Sequence, residues 1–230
     1  MTESEDKPLY PYVIFDLDGT LLNTIDDLAD AANWVCARRG WPTHPVEAYK
    51  HMVGNGIPKL VERFSPPEAR TPEALEVARA EFAAYYDAHK EDKTAPYPGM
   101  PRLAARLREA GVSAAVLSNK AHALAGPVVE HYYPSLFSRV QGALDGVPVK
   151  PDPTLLWRLM EEMGADRDNT LFVGDSNVDI QTARNGGLTS CGVLWGFRDR
   201  EELTQAGADV LAETPEELLK LILTGREEGR

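Results

Sequence analysis

The chain has 230 residues, 43% of them hydrophobic, enough to bury a sizeable core in one large domain or two smaller ones. A formal net charge of −12 argues against a nucleic-acid partner, and no apolar run approaches the length of a membrane span. The two cysteines, Cys36 and Cys191, are far apart and lack CxxC spacing, which points to free thiols rather than a disulfide or a zinc site. Met1 to Pro8 is polar and mainly acidic, without the basic and then apolar regions of a secretory signal, so a cytoplasmic location is expected.

Tyr12 to Asp16 reads as the first β-strand. The run Val13-Ile14-Phe15-Asp16-Leu17-Asp18-Gly19-Thr20-Leu21 carries two carboxylates into a Gly-Thr turn at that strand's carboxyl end. Two acids in such a place are costly unless positive charge sits beside them, and a divalent metal and a phosphoryl group are the natural candidates. The bland alternative is an acidic turn that caps the next helix, since Asp and Thr are good caps.

From about residue 23 to 94 the texture changes. Ile25, Leu28, Ala32 and Val35 mark one helix face, and Ile57 to Phe64 and Glu73 to Lys90 look helical, with breaks at Pro66-Pro67 and Pro72. No strand of comparable quality is expected there. Beyond residue 95, strand-like Val112 to Leu117, Thr170 to Val173, Cys191 to Leu194 and Asp209 to Leu211 alternate with helix-like segments. Among these, Leu103 and Leu107 lie one helical turn apart, and Leu155, Leu156, Leu159 and Met163 form an amphipathic stripe. The alternation implies an α/β fold with a parallel, Rossmann-like sheet. Its core would comprise residues 1–22 and 95–230, with a small helical domain, residues 23–94, inserted after the first strand. Open α/β sheets hold ligands beyond the carboxyl ends of their strands, so the insert is expected to lie over the site as a cap.

Three further segments, read as strand ends, add context. Val116-Leu117 runs into Ser118-Asn119-Lys120, Val147-Pro148-Val149 leads to Lys150-Pro151, and Leu171-Phe172-Val173 ends in Gly174-Asp175-Ser176, followed by Asn177 and Asp179. Each alone reads as a cap or a solvated lysine. In this order they resemble the haloacid dehalogenase superfamily of phosphotransferases: the DxDGT motif, the Ser after the second strand, the isolated Lys and the GDxxxD ending match in sequence. The insert resembles the family's small C1-type cap.

The resemblance implies roles. Asp16 is the expected nucleophile, forming an aspartyl-phosphate, and Asp18 the acid and then base. Magnesium is expected on Asp16, the Asp18 backbone carbonyl and Asp175. Thr20, Ser118 and backbone N–H groups around Leu17 and Asn119 would bind phosphoryl oxygens, and Lys150 would neutralise charge on nucleophile and phosphoryl group alike. Asp179 would orient either Lys150 or a metal-bound water.

Within the superfamily, the phosphoglycolate phosphatase-like branch is the nearest likeness. It is carried by Met52-Val53-Gly54-Asn55-Gly56-Ile57-Pro58-Lys59-Leu60-Val61, by Ser118-Asn119-Lys120 and by Val193-Leu194-Trp195-Gly196-Phe197. Gly54 and Gly56 would let backbone approach a small anion, and Asn55, Lys59 and Lys120 are candidates to meet a substrate carboxylate. Gly54-Asn55-Gly56 also reads as a plain interhelical turn. Asn23 departs from the acid that many relatives carry after DGTL.

The expected activity is therefore magnesium-dependent hydrolysis of a small phosphorylated metabolite, 2-phosphoglycolate first, by a monomer or homodimer. Pyrophosphatase-like, β-phosphoglucomutase-like and phosphonatase-like chemistry are the rivals, the last through a Schiff base on Lys50 or Lys59; a non-catalytic binding module is the remote one. His44, His51, His89, His122 and His131 lack metal-site spacing, and Trp34, Trp41, Tyr85 and Tyr86 read as cap core. Glu213 to Glu217 and Arg226 to Arg230 read as solvated helix faces or a frayed terminus.

Overall fold

The computed structural model describes residues 7–225; the acidic stretch up to Asp6 and the segment Arg226–Arg230 lie outside the described residues. In chain order, β1 (Tyr12–Phe15) is followed by the two-residue β2 (Leu22–Asn23) and by helices α1 (Ile25–Arg39), α2 (Val46–Lys50), α3 (Ile57–Phe64) and α4 (Pro72–His89). The chain returns through β3 (Ala95–Pro96), then runs α5 (Met100–Glu109), β4 (Ser113–Ala121), α6 (His122–Tyr132), β5 (Arg139–Ala143) and α7 (Thr154–Met163). It ends with β6 (Thr170–Gly174), α8 (Asn177–Gly186), β7 (Thr189–Val193), α9 (Arg200–Ala206), β8 (Val210–Ala212) and α10 (Pro215–Thr224).

Six strands form one parallel sheet in the order β5-β4-β1-β6-β7-β8. Alternation along β1 sends Val13 and Phe15 to one face, against Leu103, Val128 and Leu218, and Ile14 to the other, against Leu155 and Leu159. The chain winds outward from β1 to β4 and β5, then crosses back to β6 on the other side. That reversal opens a crevice at the carboxyl end of β1, where Asp16 follows.

Helices α1 to α4 bury a cluster of their own, including Leu28, Val35, Tyr49, Leu60, Phe64, Phe82 and Tyr86. One residue from beyond β7, Phe197, is inserted into it. Two antiparallel residues of β2 and β3 join the strands on which the chain leaves and returns. Beside them the buried Asp27 carboxylate accepts from Thr94 N at 2.8 Å, Thr94 Oγ1 at 2.8 Å and Lys93 N at 3.0 Å.

Two local readings need correction, and one helix forms against its local sequence. Val147 to Val149 is not a strand; the strand is β5, an edge strand of sequence RVQGA in which only Gly142 is buried, so no apolar run announces it. Ser118-Asn119-Lys120 is not a turn but the last part of β4. Pairing with β5 lapses after Leu117 and resumes at Ala121 opposite Ala143, an irregularity that re-aims side chains at the sheet's carboxyl edge. Helix α6 forms despite Gly126-Pro127, because Ala125, Val128 and Val129 are buried against the sheet. Among the described residues, no helix is long and apolar enough to cross a membrane.

Candidate active site

The site grows from the end of β1. Asp16 N donates to Val173 O at 2.8 Å, which seats Asp16 between β4 and β6. Gly19 then turns the backbone with φ +94°, and a Cβ there would lie 2.3 Å from Asp175 Oδ2, so only glycine fits. Asp175 is held from two sides, by Thr20 Oγ1 at 3.1 Å and by Phe197 N at 2.8 Å.

Lys150 Nζ lies 2.7 Å from Asp16 Oδ1 and 2.7 Å from Asp179 Oδ1. The other Asp179 oxygen accepts from Ser176 N at 3.1 Å and Ser176 Oγ at 2.6 Å, reaching back to the start of α8. Asp16 is therefore tied by one oxygen only; its Oδ2 accepts no hydrogen bond among the described residues.

One oxygen from each of Asp16, Asp175 and Asp179 falls within 4.8 Å of the others, and all three residues are buried. Burial, then the charge of Asp179, pushes the Asp16 carboxyl well above its ordinary value, although Lys150 opposes this. The same two causes raise Asp175 to about 7. Burial opposes the charge of Lys150, but Asp16 and Asp179 outweigh it and hold the ammonium above the ordinary lysine value. Three carboxyls share one lysine, so the cluster lacks positive charge. Its donors are all oxygen, the ligand type of a hard divalent cation such as magnesium. Asp179 is the most heavily engaged of the three, with Lys150 on one oxygen and two Ser176 donors on the other, against one donor on each oxygen of Asp175.

Asp18 faces a different cation. Its Oδ1 and Oδ2 lie 3.0 and 3.4 Å from Lys120 Nζ, which also donates to Tyr86 Oη at 2.7 Å. The two acids of the opening run thus differ in partner, Lys150 for Asp16 and Lys120 for Asp18. A cavity of about 50 Å³ lies between sheet and helices. The sheet side contributes Asp16, Asp18, Ser118, Asn119 and Lys120; Leu28, Val53, Gly54, Gly56, Ile57, Leu60 and Tyr86 line the helical side.

Not every candidate residue reaches this cavity. Thr20 is fully buried, turned to Asp175, and does not line it. Asn119 lines it, but its side-chain amide is spent on Gly54 O at 2.9 Å, Lys150 O at 3.0 Å and Lys150 N at 2.9 Å, so that amide is not available to an anion. Ser118 Oγ accepts from Lys120 N at 3.1 Å and keeps its proton to donate. Lys59 pairs with Glu62 at 2.7 Å on the exposed side of α3 and does not line the cavity. Asn55 does not line it either, its Oδ1 accepting from Arg63 at 2.8 Å. Gly54 and Gly56 do line the cavity.

Three residues make contacts that the sequence did not assign to them. Tyr86 stacks on Phe82 as core, yet its hydroxyl reaches Lys120. Arg198 donates to Lys50 O and, at 3.1 Å, to Val53 O, grasping the helical side from beyond β7. Its address just past a strand's carboxyl end was the available signal. Gly196 packs against Asp175, where a Cβ would come within 2.2 Å of Asp175 Cβ.

A model of the haloacid dehalogenase-like hydrolase family matches residues 13–193. The phosphoglycolate phosphatase of Agrobacterium fabrum is 34% identical over 196 residues, 84% of either chain. The N-acetylmuramic acid 6-phosphate phosphatase of Pseudomonas aeruginosa is 32% identical over 212 residues, 91% of this chain and 93% of its own. A solved structure from Lactobacillus delbrueckii subsp. bulgaricus, provisionally assigned as a phosphoglycolate phosphatase, is 34% identical. It superposes with a TM-score of 0.89 over 94% of this chain and 99% of its own.

Proposed function

The chain belongs to the haloacid dehalogenase-like hydrolases, and from that membership we propose that it hydrolyses 2-phosphoglycolate through a phosphorylated Asp16. It is a phosphoric monoester hydrolase; the substrate and the roles of its residues are the proposal. The observation that carries the mechanism is Asp16 itself. It lies at the end of the central strand, with one oxygen on Lys150 and the other untied, and it lines the cavity.

Asp16 Oδ2 attacks phosphorus, the bond from phosphorus to the ester oxygen breaks, and Asp18 hands its proton to the departing oxygen. Asp18 then takes a proton from the water that cleaves the acyl phosphate, and Asp16 is regenerated. Lys150 offsets charge on Asp16 and on the phosphoryl oxygens, while Ser118 Oγ and the backbone N–H of Asn119 donate to those oxygens. Thr20 and Phe197 N hold Asp175 in place. Asp16, Asp175 and the Asp18 backbone carbonyl would hold magnesium, with Asp179 orienting Lys150. When bound, the ion supplies the positive charge that lets an anionic carboxylate approach an anionic phosphate.

The small cavity and the two phosphoglycolate phosphatases of Agrobacterium fabrum and Pseudomonas putida favour a two-carbon acid over a bulky sugar phosphate. A Schiff-base route has no support: Lys50 pairs with Glu47, Lys59 pairs with Glu62, and neither lines the cavity. Phosphate release with magnesium should be measured on phosphoglycolate, pyrophosphate, hexose phosphates and N-acetylmuramic acid 6-phosphate. Phosphoglycolate is expected to give the highest kcat/KM. Asp16→Asn should lower turnover by roughly a thousandfold or more with the fold retained by circular dichroism; undiminished turnover in that variant would sink the mechanism.

A further inference from the structure

We propose that Lys120 and Tyr86 form an anion site that reads the carboxylate end of the substrate, on the opposite flank from the phosphoryl group. This rests on the phosphoglycolate reading and names the residues that select it.

Lysine carries three N–H donors. Lys120 directs them to Asp18 Oδ1 at 3.0 Å, to the Tyr86 hydroxyl at 2.7 Å and, through the longest contact of the three, to Asp18 Oδ2 at 3.4 Å, the one an incoming anion would take over. Tyr86 accepts at that contact, so its own proton has no acceptor among the described residues. Lys120 is 7% exposed and Tyr86 1%, and both border the cavity that Asp16 lines. A buried hydroxyl proton without an acceptor is costly, and a carboxylate, which only accepts, meets that proton and the adjacent ammonium charge.

Reach and surroundings agree. An ester oxygen that takes its proton from Asp18 lies within about 6 Å of Lys120 Nζ, the sum of two hydrogen-bond lengths. A carboxylate attached to the carbon that bears that oxygen spans the gap. Apart from Tyr86 and the Gly54 and Gly56 backbone, the side chains of the helical wall, Leu28, Val53, Ile57 and Leu60, are apolar and give a sugar hydroxyl no partner. Lys150 is committed to Asp16 and Asp179, and Lys59 and Asn55 are engaged outside the cavity. Among the described residues, Lys120 is the one lysine on the cavity wall.

The test compares phosphoglycolate with ethyl phosphate, which has the same carbon count and no carboxylate. It uses wild type, Lys120→Met, Lys120→Arg and Tyr86→Phe. Wild type should prefer phosphoglycolate by about a hundredfold or more in kcat/KM. Tyr86→Phe should shrink that preference about tenfold, mainly through KM. Lys120→Met should shrink it further and Lys120→Arg restore part of it. A residue that served only to hold Asp18 would cost both substrates alike. Equal losses on the two substrates, with the preference intact in every variant, overturn the anion site and leave the phosphoglycolate reading standing. A wild type without the preference overturns that reading as well. Should Lys120→Met not fold, Tyr86→Phe keeps the Lys120–Asp18 pair and gives the same readout.

Discussion

Asp175 is 1% exposed, and its two partners, a hydroxyl and a backbone N–H, do not replace the water it loses. Its carboxyl titrates near 3.8 in an unfolded chain and is pushed up to about 7 in the fold without a metal. Between those values the folded state binds more protons than the unfolded one, so stability must fall as pH rises from about 4 to about 7. Asp16 shifts in the same direction and adds to the slope. Lys120 and Lys150, held above the ordinary lysine value, are protonated in both states there and contribute none of it. Thermal melts in chelator should therefore show Tm falling across that window. Magnesium should raise Tm more at pH 7 than at pH 5, because it supplies the charge the ionised carboxyls lack. A magnesium increment that does not change with pH would contradict this account. Asp175→Asn should flatten the slope.

The elements around the site depend on close approaches that only particular residues allow. A Cβ on Gly196 would come within 2.2 Å of Asp175 Cβ and 2.5 Å of Gly19 O. Gly196→Ala should displace Asp175 and cost about a hundredfold in kcat/KM, with a stability loss of about 1–3 kcal/mol. Kinetics set beside urea melts would separate the two. At the point where the chain returns from the helices, Asp27→Ala would leave Lys93 N and Thr94 N without their acceptor, costing about 2–4 kcal/mol in the same melts. Sequence legibility at this scale followed burial. The strands β1 and β6, sheathed on both faces, show as apolar runs and were readable; β5, exposed along an edge, was not. Helix α6 was hidden by Gly126-Pro127, and the end of β4 by the polar Ser118-Asn119-Lys120, which tertiary burial nevertheless holds in extended form.

Across the whole molecule, three side chains from the sheet side grip the helical side: Asn119 on Gly54 O, Lys120 on Tyr86 and Arg198 on Lys50 O and Val53 O. Phe197 adds an apolar anchor beside Arg198. Arg198→Ala removes a charged donor from two carbonyls at once. It should speed amide exchange across residues 46–56 and raise KM by about tenfold, with kcat changed less; unaltered exchange there would show that the other contacts suffice. The sequence by itself marked a candidate set, Asp16, Asp18, Ser118, Lys150 and Asp175, through residue type, the order of the motifs and the family they resemble. Acids, hydroxyls and lysines carry their reactivity with them, and motif order is written along the chain. That Lys120 faces Asp18 and Thr20 faces Asp175 was decided only by the tertiary structure. Lys120 is 102 residues from Asp18 and Thr20 is 155 from Asp175. Such pairings depend on how the sheet winds and where the helices close over it, and that geometry also turned Lys59 outward and brought Tyr86 in.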